Sequence, residues 1–223
     1  MMRLDDVLAG LLGGVQSSAT PGPGYVWPAW DGPETTLPRS YAEADKMLLV
    51  PAGHHKAEDA RWKASSIVEC HGDGDYPRLP GVPAKWYVHI HRRVEPYLRE
   101  ALRRAAISAP EYSIERIGGY NWRTIRHKAG APLSPHARGI AVDVDPARNR
   151  GIQFPRGKAP ALWSEAWMRT WPHGVTPAFV QAFTSCGFRW GSDWDEDSHS
   201  EDHNWQDPMH FELVAGDGVR TNV

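Results

Sequence analysis

Apolar positions recur at helical spacing over one long stretch. From Ala84 to Ile107, the residues Trp86, Ile90, Val94, Leu98, Ala101, Leu102 and Ala105 share a face while Arg and Glu take the other, which predicts a helix there. Pro96 inside it predicts a kink or two shorter helices meeting. His89 and His91 would leave such a helix in different directions, which argues against their pairing on a metal. Thr176-Pro177 predicts a helix start, with Thr as N-cap and Pro in the first turn, and Gly187 a stop once Phe179, Val180 and Phe183 have packed inward. Residues 41–48 predict a short helix. Ala161 to Trp171 predicts another, with Trp163, Trp167 and Trp171 on one stripe; core packing is the expected role of that stripe, ahead of a stacking surface for sugar rings.

Period-two alternation predicts the strands. Glu111–Ile117 and Tyr120–Ile125 read as a pair joined by a bend at Gly118-Gly119. In Gly139–Asp145, Ile140, Val142 and Val144 fall on one face and Ala141, Asp143 and Asp145 on the other. Met209, Phe211 and Leu213 alternate with His210 and Glu212, so the last strand also has one apolar and one polar face, and Pro208 suits a strand beginning. Phe188–Trp190 begins a further extended segment. Between these elements, 16–38 reads as a Pro/Gly-rich arm pinned to the body by Trp27 and Trp30, and 49–83 reads as loop-rich.

Length and composition narrow the class. A chain of 223 residues with 41% apolar and 23% charged residues suits one main core. No run approaches the roughly 20 apolar residues of a membrane span, so no membrane insertion is expected. The net charge of −2, with basic residues scattered, leaves no electrostatic footprint for nucleic acid. Met1-Met-Arg-Leu-Asp-Asp6 has the wrong charge order for a secretory signal peptide. Cys70 and Cys186 form no CxxC pair, so any metal must be held by His and carboxylate.

Two stretches offer that chemistry. Leu133-Ser-Pro-His-Ala-Arg-Gly-Ile-Ala-Val-Asp-Val-Asp145 and Asp207-Pro-Met-His-Phe-Glu212 supply His136, Asp143 and His210 as three candidate ligands of one divalent metal. Asp207 is then a carboxylate for proton transfer to and from water. Gly139 lets the backbone bend so that His136 and Asp143 can reach one ion. With 11 histidines and 27 acids in the chain, chance His/Asp pairs are expected, and His54, His55, His71, His127, His173, His199 and His203 read as ordinary polar residues. The acidic loop Asp193–Asp202 lacks the Gly and Glu positions of an EF-hand and reads as a solvated rim of the site.

Ser134-x-His136-x-x-Gly139-x-Ala141-x-Asp143, followed by Gly187-Phe-Arg-Trp-Gly191 and Asp207-Pro-Met-His-Phe-Glu212, resembles the M15 family of zinc D,D- and L,D-peptidases. The similarity spans roughly residues 110 to 214 and points to the branch of D-alanyl-D-alanine carboxypeptidases and endolysin-type L-alanyl-D-glutamate endopeptidases. The resemblance implies an α+β fold with a small central antiparallel sheet and flanking helices, as in the Hedgehog signalling domain. It implies one Zn2+ per chain on His136, Asp143 and His210, Asp207 as general base, and Arg123 as oxyanion or substrate-carboxylate partner. Arg126 competes for that arginine role, and Ser134 is expected to orient substrate or support the first ligand. The expected organisation is an N-terminal extension over 1–80, a peptidase domain over 81–216 and a tail over 217–223. The expected protein is a monomer that acts on peptidoglycan stem peptides of the bacterial cell wall, endopeptidase first and carboxypeptidase second, or else a metal-stabilised binding module without turnover.

Overall fold

The computed structural model describes residues 25, 27–30, 32–33, 36–72, 80–155, 158–193 and 205–214. The expectations for the first residues, most of the acidic loop and the 217–223 tail lie outside them. The fold is mixed α and β, with small antiparallel sheets. Helices α1 (Tyr41–Met47), α2 (Ala60–Ser66), α3 (Glu95–Ser108), α4 (Glu165–Thr170) and α5 (Pro177–Thr184) surround strands β1 (Ile67–His71), β2 (Tyr87–His91), β3 (Ile117–Gly118), β4 (Ala141–Val144), β5 (Ile152–Gln153), β6 (Arg189–Trp190), β7 (Trp205–Gln206) and β8 (His210–Glu212). Among the described residues, no helix is long and apolar enough to cross a membrane.

The sheet that matters has the order β3-β4-β8-β6. Its register pairs Ile117 with Val144, Val142 with Phe211, and Trp190 with Phe211, so these apolar side chains share one face. Helix α5 closes that face: Phe183 lies 4.4 Å from Phe211 and 5.5 Å from Phe188 between ring centroids. Helix α3 backs α5, and Ser108 and Arg104 hydrogen-bond to Ala178 and Ser185. The opposite face carries Gly118, Asp143 and His210 in register, and Ala141 opposite Glu212. One face is core and the other is chemistry, as the alternation requires.

Several local expectations change. The segment expected as one helix from Ala84 is strand β2 followed by helix α3, with Pro96 in the first turn of α3, where its missing N–H costs nothing. Ile90 fits strand alternation with Val88 as well as helical spacing with Trp86 and Val94, and pairing with β1 decides between them. The loop-rich reading of 49–83 also fails, because the region holds α2 and β1, and β1 pairs along its whole length with β2.

Nor is there a hairpin at Gly118-Gly119. β3 is only Ile117–Gly118 and pairs with β4, while 120–125 returns through a single bridge between Thr124 and Leu133. Gly119 instead permits close approach, since a Cβ there would stand 2.2 Å from the His89 carbonyl oxygen. Asp145, expected beside Asp143, ends the strand at φ 46° and turns inward to accept hydrogen bonds from the Glu115 and Arg116 amides and the Tyr112 hydroxyl. Helix α4 is shorter than expected, but Trp167 and Trp171 are buried and Trp163 stacks on Trp190, so the stripe is packing.

The short helix α1, the Thr176 cap on α5 and the pinned arm are as expected: Trp27 exchanges two hydrogen bonds with Gln181, and the Trp30 amide donates to the Ser185 carbonyl. Cys70 and Cys186 are separately buried free thiols, each pushed up to about 12 by burial.

Candidate metal centre

Three side chains from two segments converge above the polar face of the sheet. Ser134 caps a 3-10 turn over Pro135–Arg138, its hydroxyl accepting from the His136 amide, and Gly139 ends the turn in the left-handed region at φ 69°. That conformation strains any residue with a Cβ, and a Cβ here would also stand 2.8 Å from the His91 amide nitrogen. The turn delivers His136 onto the sheet beside Asp143 of β4, and the β4–β8 register sets Asp143 directly opposite His210. His136 Nε2, Asp143 Oδ1 and His210 Nδ1 are separated by 3.3, 3.1 and 3.2 Å around the triangle. Ligands about 2.0–2.1 Å from a tetrahedral ion sit roughly 3.3 Å apart, so these atoms outline one face of such a coordination shell. They form the one His/Cys/Asp/Glu group of metal-binding geometry among the described residues.

Both imidazoles are oriented from behind. His136 Nδ1 donates to the Gly119 carbonyl at 2.9 Å, which leaves Nε2 as the atom turned to the centre. His210 Nε2 donates to Glu212 Oε2 at 3.1 Å, turning Nδ1 inward. Partners of this kind fix the tautomer and ring angle of metal-binding histidines. Without a cation, burial disfavours charge on His210, but Asp143 and Glu212 outweigh it and raise the imidazole to about 10. Burial likewise opposes ionisation of Asp143, yet hydrogen bonds from His136 and His210 hold its carboxyl well below the ordinary range. A cation bound at this centre would compete with the proton on His210.

Asp207 stands at the edge of this centre. Its amide is held by the Gly191 carbonyl and its own carbonyl receives the His210 amide. A Cβ on Gly191 would come within 2.5 Å of the Asp207 carbonyl oxygen, so glycine at that position is what lets β6 close on the Asp207 turn. Burial pushes the Asp207 carboxyl up to about 6; His210 and a Trp205 hydrogen bond draw it down and Asp143 pushes it further up. Its Oδ1 is buried with no hydrogen-bond partner among the described residues.

The arginines are less centrally placed. The Arg123 carbonyl accepts the Ser134 amide at 3.0 Å, while its half-buried guanidinium has no polar partner among the described residues. Arg126 is exposed and stands 5.5 Å over the Trp205 ring. Trp205 and Asp207 both crowd Gly151, where a Cβ would lie 2.6 Å from the one and 2.7 Å from the other.

Sequence reasoning gave no part in the site to Gly119, Glu212, Trp205 or Tyr41. Glu212 was findable, since it is two residues from His210 on a strand and must share its face. The Gly119 contact depends on how 118–120 packs across β2, which no local spacing encodes.

Residues 127–213 match the M15 peptidase family model described as D-alanyl-D-alanine carboxypeptidase. The motif resemblance is thereby shown, and it covers Ser134, His136, Asp143, Asp207 and His210. No curated protein and no solved structure matches the chain.

Proposed function

We propose that the chain is a zinc-dependent peptidase that hydrolyses bonds next to D-amino acids in peptidoglycan stem peptides. The observation that carries this reading is the triangle of His136, Asp143 and His210 with an unpartnered, buried Asp207 oxygen beside it. Three protein ligands leave a position open, whereas a purely structural zinc site is closed by four. Bound there, zinc would supply Lewis acidity, polarising a scissile carbonyl and acidifying the attacking water.

The chain's own groups carry the proton. Asp207, uncharged only below about pH 6 before a cation arrives, is ionised near neutrality, accepts the proton of the attacking water and returns it to the leaving amine. Its burial raises its basicity above that of an exposed aspartate, which suits a base working near pH 7. To Arg123, whose carbonyl accepts the Ser134 amide of the ligand-bearing segment, we assign the stabilisation of negative charge on the substrate. Ser134 acts as the cap that sets the His136 turn.

The bond we assign first is L-alanyl-D-glutamate, as in endolysin-type enzymes. Arg126 over Trp205, close to Asp207, favours the second reading of a carboxypeptidase, because a free substrate carboxylate needs a cation at the cleft edge. Mass spectrometry of purified muropeptides after digestion separates them. New L-alanine and D-glutamate termini support the endopeptidase, released D-alanine supports the carboxypeptidase, and intact muropeptides from every wall type contradict both.

A further inference from the structure

Helix α1 lies far outside residues 127–213, yet it reaches the metal centre. The Tyr41 hydroxyl lies 3.1 Å from both oxygens of Glu212, and Glu212 Oε2 accepts from His210 Nε2 at 3.1 Å. We propose that Tyr41 is a positioning residue for the metal ligand His210, acting through Glu212, so that the working site includes a side chain from the N-terminal part of the chain. This rests on the reading of His136, Asp143 and His210 as a zinc site.

The geometry supports a built relay. Glu212 is buried, and its register partner on β4 is Ala141, whose small side chain leaves room for the carboxylate on the polar face. Arg189 of β6 stands opposite Glu212 in the register, while the Tyr41 hydroxyl and His210 Nε2 join the carboxylate to helix α1 and to the ligand, so the plane of the carboxylate, and the imidazole angle with it, depends in part on Tyr41. Burial, then the neighbouring Glu212, push the Tyr41 phenol far above its ordinary value, so it remains a donor at every working pH.

Helix α1 is itself fastened to the other ligand segment. Arg138, two residues after His136, is buried, pairs with Asp45 of α1 at 2.7 Å and stands 4.9 Å over the Tyr41 ring. From the next turn, His54 Nε2 donates to the Ala137 carbonyl at 3.0 Å. Segment 41–54 thus holds the backs of both ligand-bearing elements.

The test is zinc affinity of the full chain by chelator competition, for wild type, Tyr41→Phe, Glu212→Gln and the double variant, with cobalt(II) absorption spectra of each. Phe keeps the ring that Arg138 covers and removes one oxygen. The expected result is a loss of about tenfold in affinity for Tyr41→Phe, with altered cobalt bands and an unfolding midpoint of the metal-free protein close to wild type. The double variant should lose little more than Glu212→Gln alone, because one path carries both effects. Wild-type affinity and spectrum in Tyr41→Phe would overturn the relay, as would additive losses in the double variant. Failure of the wild type itself to bind zinc would instead remove the underlying reading of the site.

Discussion

His136 Nδ1 donates to the carbonyl of Gly119 at 2.9 Å, and Gly119 can stand there only because it has no side chain. A methyl group would meet the His89 carbonyl oxygen at 2.2 Å and push the 118–120 segment away from β2. Gly119→Ala should therefore weaken zinc binding by about 10- to 100-fold, the usual effect of losing such a partner. Chelator competition measures it; unchanged affinity would show that the carbonyl is not what orients His136.

Asp207→Asn should keep the metal and lose turnover. Removing a general acid–base group costs on the order of 10²- to 10⁴-fold in kcat. Zinc content by elemental analysis and kcat on one preparation check both halves. The Asp207 carboxyl, at about 6 without a cation, is drawn down by a divalent ion, so the acid limb of kcat/KM should lie at or below about pH 6. Activity falls as the pH drops through that limb, because the protonated acid cannot accept the water's proton.

Gly118 lies opposite Asp143 in the sheet, and a Cβ there would meet nothing within 4 Å. Its backbone is not in the left-handed region, so a side chain introduces bulk without strain. Gly118→Leu should fill the floor beside the metal, raising KM about tenfold or more while leaving zinc affinity near wild type. Equal KM values would mean that substrate does not pass over β3.

His91 links stability to acidity. Burial, aided by Arg93 and Arg92, lowers its imidazole to about 4, and its Nδ1 accepts the Arg93 amide. The folded value lies below that of the unfolded chain, about 6.5, so the unfolded state binds the extra proton. Stability attributable to neutral His91 is therefore complete above pH 6.5, is lost as the pH falls toward 4, and amounts to roughly 3 kcal/mol. Urea unfolding at pH 7 and pH 4.5 should show a smaller drop for His91→Gln than for wild type.

The sheet faces and the grouping of Asp143 with His210 were legible because they rest on period-two alternation: Val142 and Phe211 had to face inward, and Asp143 and His210 had to share the other side. The helix expected over 84–107 failed at its start, where Ile90 satisfies the helical period with Trp86 and Val94 and the strand period with Val88, and only pairing with β1 resolves them. The long-range support was not legible. Tyr41 and Glu212 are 171 residues apart, and His54 and Ala137 are 83 apart, and neither pair leaves a spacing signal in the chain.

The most direct measurement of the central claim is zinc content together with muropeptide hydrolysis for wild type and His210→Ala. One zinc per chain and new peptide termini in wild type, both lost in the variant, is the expected result. Hydrolysis that survives in zinc-free His210→Ala would contradict it, because the chemistry would then lie elsewhere in the chain.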